Sequence, residues 1–346
     1  MLEIVCDESG SDGENLIGGN TDVFAHAGVR VAVEDAAAAL VEIRDRVRSP
    51  AREYKATHLL REKHRSVLTW FLGPSGPPAD GARVHLTDKA FFVVGRVVEL
   101  LVGEQGRPPG VEMFRDPGVE EIAVALYRAG CRMPERARWR RFLIASNDMM
   151  RLRFRAEGTD PVEAFFQALD GLCPPGAEGE PAGILDLLRR NRSRAEVFRA
   201  RIDDTPDLIP AMDPLFPAIV ATAAHAHAHT NAPAHAPAYG QGHPVSLVHD
   251  RQNMLTEERI AWLTTALPLA GLRLVESWSD PRVQLADFLA GVARKLASDE
   301  LNDRGDPELT ALLRPHVDPL SIWADSRSGS LLGVAPRGGG RSAADR

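Results

Sequence analysis

The chain has few cysteines, no long apolar run and no recognisable export signal. Each of these absences argues against a class of protein. Its three cysteines, Cys6, Cys131 and Cys173, lie far apart in sequence. They therefore favour a reducing, cytoplasmic protein over a disulfide framework or a zinc ribbon. No apolar stretch reaches the roughly 18 residues that a membrane-spanning helix needs, and the N-terminus does not fit a signal peptide.

Excess positive charge is also lacking. The formal net charge is -7 and the sequence pI is about 5.9, so no overall basic field indicates a nucleic-acid partner. This does not exclude an enzyme acting on nucleic acid, because a site that holds divalent cations is itself acidic. The composition, 44% hydrophobic and 26% charged, is that of an ordinary globular protein, and 346 residues allow one large domain or two smaller ones.

The most informative stretch is at the start, where the apolar run Ile4-Val5-Cys6 ends in two adjacent acids. The run predicts a buried strand, and Ser9-Gly10 predicts a turn directly after it. Asp7 and Glu8 then lie at the end of a central strand, where a carboxylate is costly unless it holds a cation or a proton. A pair of solvated turn acids is the competing interpretation.

Further along, strands and helices alternate in a pattern typical of an α/β protein. A hairpin partner strand, a helix and a third strand follow the opening strand, whereas residues 111–215 are mostly helical. A strand then ends at Asp250, and a helix containing Asp287 begins near Asp280. The predicted ranges are 21–33, 82–86, 245–250 and 272–276 for strands, 34–48, 59–72, 87–102, 257–266 and 280–297 for helices, and a disordered tail from about 327.

The helix that contains Asp287 has an unusual surface. Leu285, Leu289 and Val292 belong to one apolar stripe, and Asp287 lies next to it. Ala290 and Gly291 follow about one turn later and allow a close approach to the sheet. Asp287 together with the acids at positions 7 and 250 suits a site for a hard divalent cation such as Mg²⁺, whereas an ion pair with an arginine is the competing interpretation.

The alanine- and histidine-rich segment from Ile219 to Ala238 is a weaker metal candidate. Only His225 and His229 share a helix face, and no cysteine or acid lies near them at zinc-ligand spacing. Alternating Ala-His with two prolines is typical of low-complexity sequence. We therefore predict no metal site here.

Five short motifs make the chain resemble the DUF3800 family of uncharacterised bacterial and phage-associated proteins. The motif at 283–291, Gln-Leu-Ala-Asp followed by a small-residue helix, is the most specific of them when it is paired with the opening Asp-Glu-Ser-Gly. Between them the motifs span residues 4 to 295. They are Asp7-Glu8-Ser9-Gly10, Glu53-Tyr54-Lys55, Asp213-Pro214-Leu215-Phe216-Pro217, the strand ending at Asp250, and Val283-Gln284-Leu285-Ala286-Asp287-Phe288-Leu289-Ala290-Gly291.

The resemblance implies a divergent ribonuclease H-like fold, with a mixed sheet flanked by helices and a large helical insertion. It also implies a carboxylate site for Mg²⁺ or Mn²⁺, in which Asp7 bridges the metals and Asp250 and Asp287 complete the cage. Glu8 is a further possible ligand, and Glu53 and Lys55 are catalytic candidates, the latter as a phosphate contact. The domain boundaries expected are 1–105 and 216–300 for the core, 106–215 for the insertion and 301–346 for a C-terminal extension.

The chain departs from the family pattern at Arg251, because family members often carry a second acid after the strand aspartate. This removes one possible ligand and leaves the function open. The leading hypothesis is a metal-dependent nuclease acting on DNA or RNA, with no membrane partner. The alternatives are a non-catalytic ribonuclease H-like binding module in phage defence or mobile-element biology, and a phosphoryl-transfer enzyme with a small substrate.

Overall fold

A five-stranded mixed sheet organises the chain in the order β3-β2-β1-β4-β5. This computed structural model describes residues 2–48, 54–79, 81–104, 113–152, 160–173, 180–204, 210–228, 245–267 and 269–338. The first three strands pair antiparallel, and β4 and β5 extend the sheet in parallel with β1. The strands are β1 (Leu2–Ser9), β2 (Val23–Val29), β3 (Ala82–Asp88), β4 (Val245–Asp250) and β5 (Leu269–Val275).

Helices cover both faces of this sheet, so the predicted α/β class is confirmed. None of the helices within the described ranges is long and apolar enough to cross a membrane. The helices are α1 (Val33–Val47), α2 (Ala56–Leu59), α3 (Arg65–Leu72), α4 (Lys89–Val102), α5 (Pro117–Arg132), α6 (Arg136–Met150), α7 (Pro161–Leu172), α8 (Glu180–Arg190), α9 (Arg192–Asp204), α10 (Leu215–Ala228), α11 (Glu257–Ala266), α12 (Pro281–Leu301), α13 (Pro307–Leu313) and α14 (Ser326–Leu332).

The alternation of side chains along β1 divides the core into two faces. Val5 and its strand neighbours pack against α12 on one face, and Cys6 packs against α10 on the other. A third apolar cluster joins α4 to the helices α5–α9, which supply all the described structure between 117 and 204. The strands predicted at 82–86 and 245–250 are confirmed, whereas the second strand ends at Val29 because helix α1 begins at Val33.

The C-terminal tail corrects a prediction. Disorder was expected from about 327, but helix α14 is capped by Asp325, whose carboxylate accepts a hydrogen bond from the Ser328 N–H at 2.8 Å. Just before it, the N–H of Ile322 donates to the Leu86 carbonyl, so the tail covers the outer edge of β3. Local capping and edge pairing, which composition does not reveal, therefore order the segment that contains Ile322 and α14.

Candidate active site

Two of the predicted acids lie side by side at one edge of the sheet. Strands β1 and β4 are parallel neighbours in which Cys6 pairs with His249, so Asp7 and Asp250 are the next residues on their strands. The turn after β1 is possible because Gly10 has a φ of +85° and because a Cβ there would lie 2.5 Å from the Val23 carbonyl oxygen. Asp7 is buried, with 7% of its surface exposed.

The third acid reaches the same edge from helix α12. Its neighbour one turn later, Gly291, would place a Cβ 2.4 Å from the Cβ of Ala56, so the glycine allows helix α2 to pack directly on α12. The predicted close approach of α12 to the sheet is therefore present, since α12 packs on β1 and β2, and Gly291 adds a close contact with α2. This contact brings Lys55, which caps α2, to Asp287, where the Nζ and Oδ2 atoms are 3.8 Å apart.

Glu8 points to the opposite face of the sheet, towards the α10 side. Its Oε2 atom is 3.6 Å from the Nε2 atom of His249, and this oxygen is buried with no hydrogen-bond donor among the described residues. The Nδ1 of His249 lies 2.9 Å from the Asp250 carbonyl oxygen. Because a carbonyl only accepts, Nδ1 carries the proton, so in the neutral ring the Nε2 lone pair faces Glu8. Two acceptors face each other unless Glu8 is protonated.

Burial and mutual repulsion shape the charge of these four acids, Asp7, Glu8, Asp250 and Asp287, which we call the carboxylate cluster. Burial raises the pKa of Asp7 well above its usual range, and the charges of the other three members raise it further. The pKa of Glu8 rises to about 8, first through burial and then through the charge of Asp213 and two cluster members. The cluster therefore gathers more negative charge than it can keep ionised without a cation.

Several groups around Asp250 favour its ionised form. Burial raises its pKa, whereas the backbone of Arg251 and of Ser277 and the charge of Lys55 oppose the rise. The Arg251 N–H donates to the Val275 carbonyl at 2.8 Å, and its side chain extends outward, where it forms an ion pair with Glu276. Arg251 thus places an exposed guanidinium, paired with Glu276, beside the cluster.

Asp213 was missed as a site residue, although its motif was noted. It is 1% exposed, and burial raises its pKa to about 6, opposed by a hydrogen bond from the Leu215 N–H at 3.0 Å. Its Oδ2 is buried without a partner in the part of the chain that the structure describes. The available signal was an acid directly before Pro214 in a strongly apolar segment. Burial of a carboxylate there costs free energy unless the group is paired or hydrogen-bonded.

Three buried histidines form a second feature that the sequence analysis did not predict. His26 and His85 are paired across β2 and β3, and the ring of His26 stacks on that of His249 with centroids 5.3 Å apart. We call these three residues the histidine row. The Nδ1 atoms of His26 and His85 contact Thr222 and Asp318 at 3.0 and 2.8 Å. All three Nε2 atoms are buried, and no described residue forms a hydrogen bond with them.

Carboxylate oxygens are the ligands that Mg²⁺ and Mn²⁺ prefer, so the donor chemistry of the cluster suits these cations. The unpartnered Glu8 oxygen and the raised pKa of Asp7 are consistent with a missing positive charge. The side chains nevertheless do not converge: within the described ranges, no three His, Cys, Asp or Glu residues are placed to hold a metal ion. A cation at this edge requires the carboxylates to adopt other rotamers.

The structure thus brings together Asp7, Glu8, Asp250, Asp287 and Lys55, which come from four elements: β1, β4, α12 and the N-terminal end of α2. Glu53, the remaining catalytic candidate, lies outside the described residues, as do His229, His235 and His243 of the alanine- and histidine-rich segment. His225 lies on α10, where its Nε2 accepts a hydrogen bond from Arg83 at 3.2 Å. No family model, curated protein or solved structure matches the chain.

Proposed function

We propose that the protein is a divalent-cation-dependent phosphodiesterase that cleaves nucleic acid. The observation that carries the proposal is the assembly of Asp7, Asp250 and Asp287 at one edge of the sheet, where the last two raise the pKa of the first. A cluster that repels itself and is partly buried is stabilised by bound cations. Its arrangement, with acids on the first strand, a later strand and a C-terminal helix, supports the ribonuclease H-like fold that the resemblance to DUF3800 implies.

Each residue then has a defined role. Asp7, Asp250 and Asp287 hold the cations, which when bound activate a water and stabilise the leaving oxygen of a phosphodiester. Lys55 is 53% exposed and lies beside Asp287, so its ammonium is placed to bind a substrate phosphate while it offsets the charge of the cluster. Glu8, on the far side of the strand, raises the pKa of Asp7 when it is ionised.

The test is cleavage of single- and double-stranded DNA and RNA in Mg²⁺, in Mn²⁺ and in EDTA. We expect cleavage only with a cation, and a loss of at least about 100-fold in Asp7→Asn and Asp287→Asn, because each change removes a charged ligand. Asp45→Asn is the matched control, since Asp45 is exposed on α1. Wild-type protein that cleaves none of these substrates, or cluster variants as active as the control, would contradict the proposal.

A second candidate is a non-catalytic nucleic-acid-binding module on the same scaffold. Two observations favour it: the cluster oxygens do not converge on a metal position among the described residues, and Arg251 occupies the place of a possible further acid. Isothermal titration calorimetry separates the two functions. Binding of Mn²⁺ that disappears in Asp287→Asn supports the phosphodiesterase, whereas no heat from either protein supports the module.

A further inference from the structure

A tryptophan beside the carboxylate cluster is exposed to solvent. Trp278 has 79% of its surface exposed, the largest value for a large apolar side chain in the described residues. An indole normally contributes to stability by removing 150–250 Å² from water, and this ring forgoes most of that gain. Single exposed apolar residues are common, so exposure alone does not indicate a binding role for Trp278, and its position in the fold must do so.

The turn that carries the ring is tied to the cluster. Trp278 is the central residue of a 3₁₀ turn, Ser277–Ser279, between the end of β5 and the start of α12. Asp250 of β4 pairs with Val275, the last residue of β5, and the backbone of Ser277 lowers the pKa of Asp250. The indole therefore lies three residues beyond the strand position that pairs with a proposed cation ligand, at the same edge of the sheet.

Several hydrogen bonds fix the backbone of this turn. The N–H and the hydroxyl of Ser279 donate to the Glu276 carbonyl at 2.8 and 2.7 Å, and Gln284 of α12 donates to the Ser277 carbonyl at 3.3 Å. A rigid turn that presents an exposed ring loses little conformational entropy when a ligand stacks on it. This is the property expected of a preformed contact surface.

Charge next to the ring favours a polyanion as the ligand. Arg251 is 63% exposed and its partner Glu276 directly precedes the turn, so a guanidinium lies on the Trp278 side of the cluster. An aromatic face together with an arginine is the combination that binds single-stranded nucleic acid, the ring for a base and the cation for a phosphate. Duplex bases are stacked within the helix, so only an unpaired base can lie flat on the ring.

We propose that Trp278 stacks on an unpaired nucleobase next to the cleavage position, with Arg251 contacting the adjoining phosphate. The substrate class is therefore single-stranded nucleic acid, or a single-stranded region of a longer molecule. The inference rests on the proposed function for the position of the scissile bond. The binding contact itself is independent of cleavage.

The experiment measures binding of three ligands in Ca²⁺: a single-stranded oligonucleotide, the same strand in a duplex, and the same backbone with abasic sites. DNA and RNA forms are compared, and intrinsic tryptophan fluorescence and anisotropy of a labelled strand are the readouts. We expect the single strand to bind most tightly and to quench the fluorescence. Trp278→Ala should weaken its binding about 5- to 150-fold, the range for loss of one stacked base.

Three comparisons make the result specific. Trp278→Ala should leave the affinity for the abasic backbone unchanged, Trp278→Phe should restore most of the binding, and Trp262→Phe, on α11, should bind as wild type does. Because the Trp278 side chain is exposed, thermal unfolding of the variants should match wild type. Equal affinity of wild type and Trp278→Ala for the single strand, or tighter binding of the duplex, would overturn the inference.

The outcomes separate this inference from the proposed function. Cation-dependent cleavage whose KM is unchanged in Trp278→Ala overturns the stacking role and leaves the phosphodiesterase standing. Base-dependent binding that is lost in Trp278→Ala, with no cleavage by wild type in any cation, upholds the stacking role and removes the phosphodiesterase.

Discussion

The two faces of the sheet differ in where their ionisable groups lie. On the α12 face, Val5 and Val248 are buried and apolar, and the acids appear only at the strand ends, as Asp7 and Asp250. On the α10 face, the histidine row lies inside the sheet packing, with His26 and His249 at 0% exposure. One face places its acids at the strand ends, and the other buries ionisable rings within the sheet packing.

This contrast indicates which polar residues serve structure and which serve chemistry. Burial lowers the pKa of His26 well below its usual range, and it lowers the pKa of His249 to about 4. At neutral pH these rings are uncharged, so they act as packing groups with a polar edge. The carboxylate cluster is instead the region where burial and neighbouring acids raise the pKa of Asp7 and of Glu8.

The largest expected effect disrupts the α10 face and leaves the proposed cation ligands Asp7, Asp250 and Asp287 unchanged. His26→Ala removes a fully buried ring and its contact with Thr222, and it should lower the free energy of unfolding by about 2–4 kcal/mol. Urea denaturation measures this change, and calorimetry should show Mn²⁺ affinity close to that of wild type. Thr222→Val, which removes only the hydroxyl, should cost about 1 kcal/mol. A His26→Ala variant of full stability with weakened cation binding would reverse the assignment of the two faces.

A smaller effect is expected when a cation binds to the carboxylate cluster. Mn²⁺ at 100 times its Kd should stabilise the wild-type protein by about 2.7 kcal/mol at pH 8.5, and by less at pH 5. The reason is that protons compete for the cluster below the pKa of Glu8, which is about 8. Thermal unfolding with and without Mn²⁺ measures both values. Asp287→Asn should lose the stabilisation and Asp45→Asn should keep it; a cation effect of equal size at both pH values would argue against the cluster as its origin.

The smallest expected effect concerns the cation-free protein, whose stability should fall on both sides of a maximum. The folded pKa of Glu8 is raised, so its contribution is present at low pH and is lost as the pH rises from about 4.5 through 8. The folded pKa of His249 is lowered, so its contribution is present above 6.5 and is lost as the pH falls towards 4. Melting temperatures across this range should therefore change by a few degrees.

In a plot of stability against pH, two conservative variants distinguish the acid limb, below the maximum, from the alkaline limb above it. Glu8→Gln should flatten the alkaline limb only, because the amide cannot ionise, and His249→Gln should flatten the acid limb only. Differential scanning fluorimetry in EDTA provides the measurement. If one substitution removed both limbs, the titrations of Glu8 and His249 would be coupled through their contact, and Glu8 would belong with the histidine row instead of with the other acids.

Much of the sheet and the cluster was predictable because the signals were local. An apolar run that ends in Asp7, a second that ends in Asp250 and a helix stripe beside Asp287 each specify an element and the position of an acid within it. Parallel pairing of β1 and β4 then places two of the acids together. The turn at Gly10 was predictable for the same reason, since Ser-Gly is a turn signal that its positive φ bears out.

The rest depended on contacts between distant residues. Nothing in the sequence around His26 indicates that its ring stacks on that of His249, which lies 223 positions later. The helix at 326–332 was missed because its polar, glycine-containing sequence has weak helix propensity, and the Asp325 cap and packing near Trp323 outweigh it. Trp278 carries no periodic pattern, so only its exposure on a fixed turn distinguishes it.

The pairing of β1 with β4 also has a consequence for how the protein is made. Leu2 pairs with Val245, so strand β1 pairs with a strand that is synthesised more than two hundred residues later. Contacts of such sequence separation form slowly, and domains generally fold after their last core element has emerged. Asp7 therefore meets Asp250 and Asp287 only after residue 287 has been synthesised, and a chain that stops before this residue cannot assemble the cluster.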